Sequence, residues 1–233
     1  MKTIVVTGAT KGIGKAICQK FAKENFNIAL CSRNSNELKK LAIELSSLGA
    51  NKVVFLSTDV SKKQELKQFA EKITDEFETV DILVNNAGVF VPGKITEEEE
   101  GMLELMVETN VYSAYYLTRF LLPHIEKSDS AHIVNMCSIA SQTAYDNGGS
   151  YSISKFAMLG MSKVLREELK PKNIKVTALM PGATYTASWE GVDIPQSRFM
   201  QSNEIADLVW AAYSLLGNAV VEEMVIRPQL GDL

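Results

Sequence analysis

Short apolar runs alternate along the chain with longer stretches in which apolar residues recur every third or fourth position. The runs are TIVV, FNIAL, KVVFLS, DILVNN, AHIVNM, IKVTALM and VVEEMVI. Each has the length of a strand. The stretches between most of them, at 15–23, 35–48, 62–77, 102–122, 151–169 and 203–216, have helical length and an apolar face. Strands buried on both faces read as unbroken apolar runs, as VVFL at 53–56 does, and strand–helix alternation places helices on both sides of a mainly parallel sheet. The predicted fold is therefore α/β, a doubly wound parallel sheet flanked by helices on both faces.

Helix punctuation agrees with this reading. Ser61 with Gln64, and Thr96 with Glu99, have the spacing of capping boxes. The acidic run at 97–100 suits a solvated helix N-terminus, and Pro171 marks a helix exit. No repeat or low-complexity linker demands a boundary, so residues 1–233 are expected to form a single domain.

Composition narrows the function classes. The chain is 46% hydrophobic and 22% charged with a net charge of -4, which is ordinary for a soluble globule and gives no bulk attraction to nucleic acid or anionic membrane. The three cysteines, Cys18, Cys31 and Cys137, lie far apart and away from the two histidines, so neither a disulfide framework nor a metal site is expected. The apolar residues after Lys2 run straight into a glycine turn, and no apolar stretch reaches membrane-spanning length; a cytoplasmic protein is expected.

In an open parallel sheet, ligands bind beyond the carboxyl ends of the strands. The segments STD at 57–59, NNAG at 85–88, CS at 137–138 and PGAT at 181–184 should converge there. TGATKGIG, following the first strand, carries Gly8, Gly12 and Gly14 in a G-x-x-x-G-x-G pattern; glycines let the backbone approach a ligand, and a helix opening near Gly12 would aim N–H groups at a diphosphate. Alone, the pattern also fits a structural turn. The second strand leads to Cys31, Ser32 and Arg33 with no acid at its end. An acid would repel a ribose 2'-phosphate, whereas Arg33 can fork onto one and Lys11 can add a second positive charge, which favours NADP(H) over NAD(H).

Tyr151 and Lys155 are four residues apart in a predicted helix and share a face; Ser138 ends another predicted strand and can reach the same cleft. Reducing a carbonyl requires a hydride on carbon, a group that polarises the oxygen and a proton for it; Ser138 and Tyr151 can provide the last two. A tyrosine that normally titrates near 10 needs a shift of about 3 units, roughly 4 kcal/mol, to work near neutrality. An ammonium about 4 Å away at an effective dielectric near 20 supplies that order of energy, the role assigned to Lys155.

Taken together these residues resemble the short-chain dehydrogenase/reductase family over nearly the whole chain. Thr7, Gly8, Gly12 and Gly14 match its cofactor turn, the segment 85–88 its N-N-A-G motif, and Asn110, Ser138, Tyr151 and Lys155 its catalytic four. The resemblance implies a Rossmann-like sheet and an oxidoreductase acting between a carbonyl and an alcohol. It assigns Gly8, Thr10, Lys11, Gly12, Ile13, Gly14, Ser32 and Arg33 to the cofactor, puts Asp59 and Val60 by the adenine, and sets Asn86, Ala87 and Gly88 beside the ribose. Pro181, Gly182, Thr184 and Thr186 fall to the nicotinamide side, with Tyr151 and Lys155 also in contact. Asn110 is expected to hold a relay water through its backbone carbonyl, with its side chain structural. Cys137 stands where many relatives carry a further serine.

The segment at 183–200 is the expected substrate lid, short for the family, with Tyr185, Trp189 and Phe199 able either to contact substrate or simply to pack the lid. His124 and His132 are expected to be structural or surface residues. A small ketone or diketone is the favoured substrate, with 3-oxoacyl carrier-protein and sepiapterin-like reduction as alternatives and a nucleotide-sensing scaffold as the non-enzymatic one. A homodimer or homotetramer is expected, although the ending EMVIRPQLGDL departs from the family's D-G-G terminus.

Overall fold

Among the described residues seven strands pair in one sheet, and every ladder between them is parallel. They are β1 (Thr3–Thr7), β2 (Asn27–Ser32), β3 (Lys52–Ser57), β4 (Ile82–Asn85), β5 (His132–Met136), β6 (Lys175–Pro181) and β7 (Glu223–Ile226). The structure, a computed structural model, describes residues 1–186, 191, 193–215 and 217–232. The spatial order is β3-β2-β1-β4-β5-β6-β7, so the chain reverses its direction of winding between β1 and β4 and opens a crevice at their carboxyl ends. This is the doubly wound Rossmann-like arrangement expected from the alternating pattern.

Helices α1 (Gly12–Lys23), α2 (Ser35–Ser47) and α7 (Ser202–Ser214) cover one face, burying Ile17, Phe21, Leu38, Leu45 and Val209 against Ile4, Ile28 and Ile82. On the other face lie α3 (Lys63–Glu76), α5 (Ser113–Ile125) and α6 (Gly149–Leu169), where Leu66, Phe69, Leu117 and Leu121 meet Val5, Leu83 and Ile133. Burying a side chain of this size contributes roughly 1.5–3 kcal/mol. The three cysteines are buried, as expected of small apolar fillers, with free thiols. No helix among the described residues is long and apolar enough to cross a membrane.

The stretch expected as one helix from 102 is subdivided. Helix α4 (Met102–Val107) passes through a wider π-helical turn, Glu108–Tyr112, into α5, and this turn carries Asn110. Such insertions re-aim backbone groups and concentrate at functional sites. Both expected capping boxes are absent. Lys62, not Ser61, precedes α3, and Ser61 instead donates from its N–H and Oγ to Asp59 Oδ1 at 3.0 and 2.8 Å. Gly101, not Thr96, precedes α4, because a left-handed residue at φ 91° turns the chain into that helix after the acidic run.

A polar ladder crosses the core beneath the crevice. Asn85 Nδ2 donates to Thr118 Oγ1 at 3.1 Å and to Asn135 Oδ1 at 2.8 Å; Asn135 Nδ2 donates to Ser162 Oγ at 2.9 Å. It ties α5 to α6 through the two central strands whose ends carry the NNAG and CS segments.

Candidate active site

The glycine turn is built for close approach. Gly8 and Gly12 hold left-handed φ values of 65° and 51°, which a side chain disfavours. A Cβ on Gly14 would lie 2.4 Å from Gly8 O and 2.6 Å from Asn86 Nδ2. Lys11, at the N-cap of α1, makes no side-chain cap hydrogen bond, leaving the first N–H groups of a helix of 12 residues to an outside acceptor. The NNAG segment is bolted to this turn. Asn86 Nδ2 donates to Thr7 O and Gly8 O at 2.9 and 3.1 Å, and Thr7 Oγ1 accepts from the N–H groups of Asn86 and Ala87 at 3.0 and 2.9 Å. From the lid side, Thr186 meets the turn: its Cγ2 lies 3.0 Å from where Gly12 would carry a Cβ.

At the end of β2, Ser32 Oγ is buried without a hydrogen-bond partner, an arrangement that calls for a ligand oxygen. Arg33 beside it is exposed. Lys11 leans onto Glu37, its Nζ 3.4 Å from Oε1. An orphaned hydroxyl, a guanidinium, a glycine cradle and an uncapped helix start fit the adenosine phosphate and diphosphate of NADP(H). Asp59 is occupied with Ser61, and its own N–H donates to Glu65 Oε2 at 2.7 Å, while Val60 is buried. The turn after β6 is closed by Thr184 Oγ1 donating to Gly182 O at 3.1 Å and by a bridge from Thr184 to Met200.

The four residues matched to the family's catalytic set are brought together. Ser138 starts a 3-10 turn, Ile139–Ser141, and its Oγ accepts from Ala140 N at 3.1 Å. It hydrogen-bonds Tyr151, which favours the phenolate, yet burial is the larger effect and pushes the Tyr151 phenol above its ordinary range. Lys155 is buried and donates from Nζ to Met136 O at 2.8 Å; burial pushes its ammonium down. The expected lever is an ammonium about 4 Å from the phenol. Lys155 Nζ faces the Tyr151 ring, 5.7 Å from its centroid, and burial is the largest influence on the phenol.

Asn110 is buried in the π-helical turn with its side chain fully engaged. Its Oδ1 accepts from Val89 N at 2.7 Å, and its Nδ2 donates to Val89 O at 3.0 Å and Ser154 Oγ at 2.9 Å. A Cβ on Gly88 would lie 3.2 Å from Asn110 Oδ1 and 3.8 Å from Lys155 Nζ, so the NNAG segment reaches the quartet as well as the glycine turn.

Three contributors were not legible as site residues in the sequence. Phe90 meets Tyr151 edge-on with ring centroids 4.8 Å apart. The Tyr145 phenol is pushed up to about 12 by burial and, secondarily, by the neighbouring Tyr151. Glu98, from the acidic run, accepts from Ser150 at the start of α6. Proximity to the NNAG motif was the one available signal for Phe90; none marked Tyr145. In the lid, Tyr185 and Phe199 pack edge-on against each other at 5.7 Å, and Trp189 lies outside the described residues. His132 is buried with Nε2 2.7 Å from Thr177 Oγ1, away from the quartet in the sheet, as a structural residue should be.

A parallel sheet with this strand order, a glycine turn after its first strand and a Ser–Tyr–Lys cluster at its carboxyl edge define a nucleotide-binding oxidoreductase. The model of the short chain dehydrogenase family matches residues 2–196, and the chain belongs to that family. Among its relatives, a sepiapterin reductase of Chlorobaculum tepidum is 32% identical over 238 residues, covering 99% of this chain and 97% of that one. Among solved structures, an alcohol dehydrogenase from the archaeon Thermococcus sibiricus, complexed with 5-hydroxy-NADP, superposes with a TM-score of 0.90 at 28% identity, covering 98% of this chain and 97% of its own. L-sorbose reductase from Gluconobacter frateurii, complexed with NADPH and L-sorbose, gives 0.89 at 27% identity, with 97% and 95% coverage.

Proposed function

We propose that the protein is an NADPH-dependent reductase that interconverts a small ketone or diketone with the corresponding alcohol. The observation that carries this reading is the meeting of Tyr151, Ser138 and Lys155 beside a glycine cradle and the orphaned Ser32 hydroxyl.

The residues at 8–14 would hold the diphosphate; Ser32 and Arg33, with Lys11, the 2'-phosphate; Asp59 and Val60 the adenine; residues 86–88 the ribose; and Pro181, Gly182, Thr184 and Thr186 the nicotinamide side. When bound, the reduced nicotinamide supplies the hydride. Ser138 Oγ donates to the substrate carbonyl oxygen and fixes its position. Tyr151 Oη delivers the proton to that oxygen as charge develops on it. Lys155, charged and held by Met136 O, stabilises the resulting phenolate and passes a proton back to it. Asn110, its side chain committed to Val89 and Ser154, offers only its backbone carbonyl to a relay water on the way to solvent. Phe90 and Tyr145 wall the substrate side, and the described residues of the segment at 183–200 would cover it. Residues 1–233 act as one unit, in the cytoplasm, as a homodimer or homotetramer through the exposed apolar residues of α5 and α6, among them Tyr115, Ile153 and Phe156.

A second reading, reduction of a pterin ketone, is favoured by the 32% identity to a sepiapterin reductase along almost the full length of both chains. NADPH oxidation measured with a small diketone, an aldehyde, a pterin ketone and a 3-oxoacyl thioester separates the readings by kcat/KM. Stoichiometric NADPH binding with no oxidation across that panel would overturn both and leave a nucleotide-sensing scaffold.

A further inference from the structure

Helix α6 carries the phenol in its first turn, yet Gly148, which precedes it, has no side chain to cap the free N–H groups. The cap comes from elsewhere. Glu98, 52 residues upstream, accepts from Ser150 N through Oε1 at 2.9 Å and from Ser150 Oγ through Oε2. Tyr151 is the next residue.

The surroundings are shaped to admit this carboxylate. A Cβ on Gly149 would lie 2.0 Å from Glu98 Oε1 and 2.4 Å from Gly93 O, and a Cβ on Gly93 would lie 2.7 Å from Glu98 Cγ. Gly93 also bridges to Gly148, and its N–H donates to Asn147 O at 3.0 Å. Two glycines therefore make room for one side chain, at the point where the segment after the NNAG motif meets the start of α6.

That segment is pinned at both ends by groups of the same site. Asn110 holds Val89 at one end through both backbone polar groups, and Glu98 holds Ser150 at the other. Between them Phe90 presses edge-on against Tyr151. A carboxylate at a helix start is favoured by the helix dipole as well as by the hydrogen bonds, so the closed arrangement is the stable one.

We propose that Glu98 is a positioning residue for Tyr151: by capping α6 from the facing segment, it fixes both the phenol-bearing turn and the Phe90 wall that orients substrate against it. This deepens the reading of the site as a carbonyl reductase and rests on it. A misplacement of about 1 Å at reacting atoms costs on the order of 100-fold in rate. Glu98→Ala is therefore expected to lower kcat by about 10- to 100-fold while the NADPH dissociation constant, read by cofactor fluorescence, stays within about twofold. Glu98→Gln, whose amide oxygen can still accept from Ser150 N, should recover most of the loss.

Unchanged kcat in Glu98→Ala overturns the proposal. So does a loss of kcat that follows cofactor affinity and melting temperature down in parallel, which is the pattern of a merely structural residue. A readout independent of turnover separates failure of the clasp from failure of the reductase reading: ring-13C-tyrosine NMR of the NADP+ complex, with the Tyr151 signal assigned by Tyr151→Phe. Glu98→Ala should move the chemical shift and titration midpoint of that signal, and Glu98→Gln should restore them. A Tyr151 signal indifferent to Glu98→Ala sinks the clasp whatever the substrate screen returns.

Discussion

Lys155 Nζ donates to the carbonyl oxygen of Met136 at 2.8 Å, which fixes a buried ammonium to the last residue of β5, two positions before Ser138. The group is anchored to the sheet, with Nζ 5.7 Å from the centroid of the Tyr151 ring. Burial is the largest influence on the Tyr151 phenol and pushes it above its ordinary range. In the ligand-free protein, Tyr151 should add no phenolate absorbance below about pH 10, the ordinary value for tyrosine. The difference in ultraviolet titration between the wild type and Tyr151→Phe measures this directly. A Tyr151-dependent transition near neutrality in the absence of ligand would contradict it.

Removing the proposed proton donor should leave the cofactor cradle intact. Tyr151→Phe is expected to lower kcat/KM by about 100- to 10,000-fold, the span of general acid catalysis, with little change in NADPH binding. Ser138→Ala should lose a comparable share through the substrate oxygen, and steady-state kinetics with titration of the bound cofactor separate the two effects. Turnover close to wild type in both variants would remove these residues from the chemistry.

On the proposed reading, the end of β2 sets the choice of cofactor. A charged hydrogen bond is worth about 1.5–3 kcal/mol, so Arg33→Ala should cost about 10- to 100-fold in kcat/KM with NADPH and little with NADH. Glu37→Gln should act in the opposite direction. It releases Lys11 from the 3.4 Å ion pair and should tighten NADPH binding by a few-fold, the modest scale of an exposed pair. Equal losses with both cofactors in Arg33→Ala would exclude a phosphate clamp.

Gly14 has no room for a methyl group. With Gly8 O 2.4 Å from the position of its Cβ, Gly14→Ala must shift either the turn or Asn86. Overpacking of this kind costs about 1–3 kcal/mol. The expected result is a lower melting temperature together with a weaker NADPH affinity, since the displaced groups are those of the cradle. Unaltered affinity would show that the turn is not where the diphosphate binds.

Acid stability should depend on a residue remote from the chemistry. Burial in the sheet lowers the pKa of His132 from 6.5 to about 3. Below 6.5 the unfolded chain takes up a proton that the folded chain refuses. Stability from this group is thus complete above 6.5 and is lost as pH falls toward about 3, by up to about 1.4 kcal/mol per unit. His132→Asn should flatten the fall of melting temperature between pH 6 and 4 relative to wild type; parallel curves would reject the assignment.

Periodicity was sufficient for the sheet and its helices because the inner strands of a parallel sheet are buried on both faces and each helix on one, and both conditions leave marks in consecutive residues. The meeting of Ser138, Tyr151 and Lys155 was legible for a related reason: two share one helix face and the third follows the end of a strand. Glu98 was not. In sequence it is one of four adjacent glutamates, and nothing local distinguishes the one that reaches Ser150 from the three that do not. The capping boxes failed likewise, since the spacing of Ser61 and Gln64 does not reveal that Asp59 has already taken the Ser61 hydroxyl. The π-helical turn at Asn110 left no periodic trace because it adds only part of a turn to an otherwise regular pattern.

The ladder from Thr118 through Asn85 and Asn135 to Ser162 constrains how this protein can diverge. Each rung satisfies a neighbour that has no water to fall back on, so changing one alone strands another at a cost of about 1–3 kcal/mol, while an apolar set installed together can be nearly neutral. Evolutionary routes through this part of the molecule therefore favour paired substitutions, and covariation among these four positions across descendants should be stronger than at the greasy positions around them, where a neighbour can absorb a change by repacking.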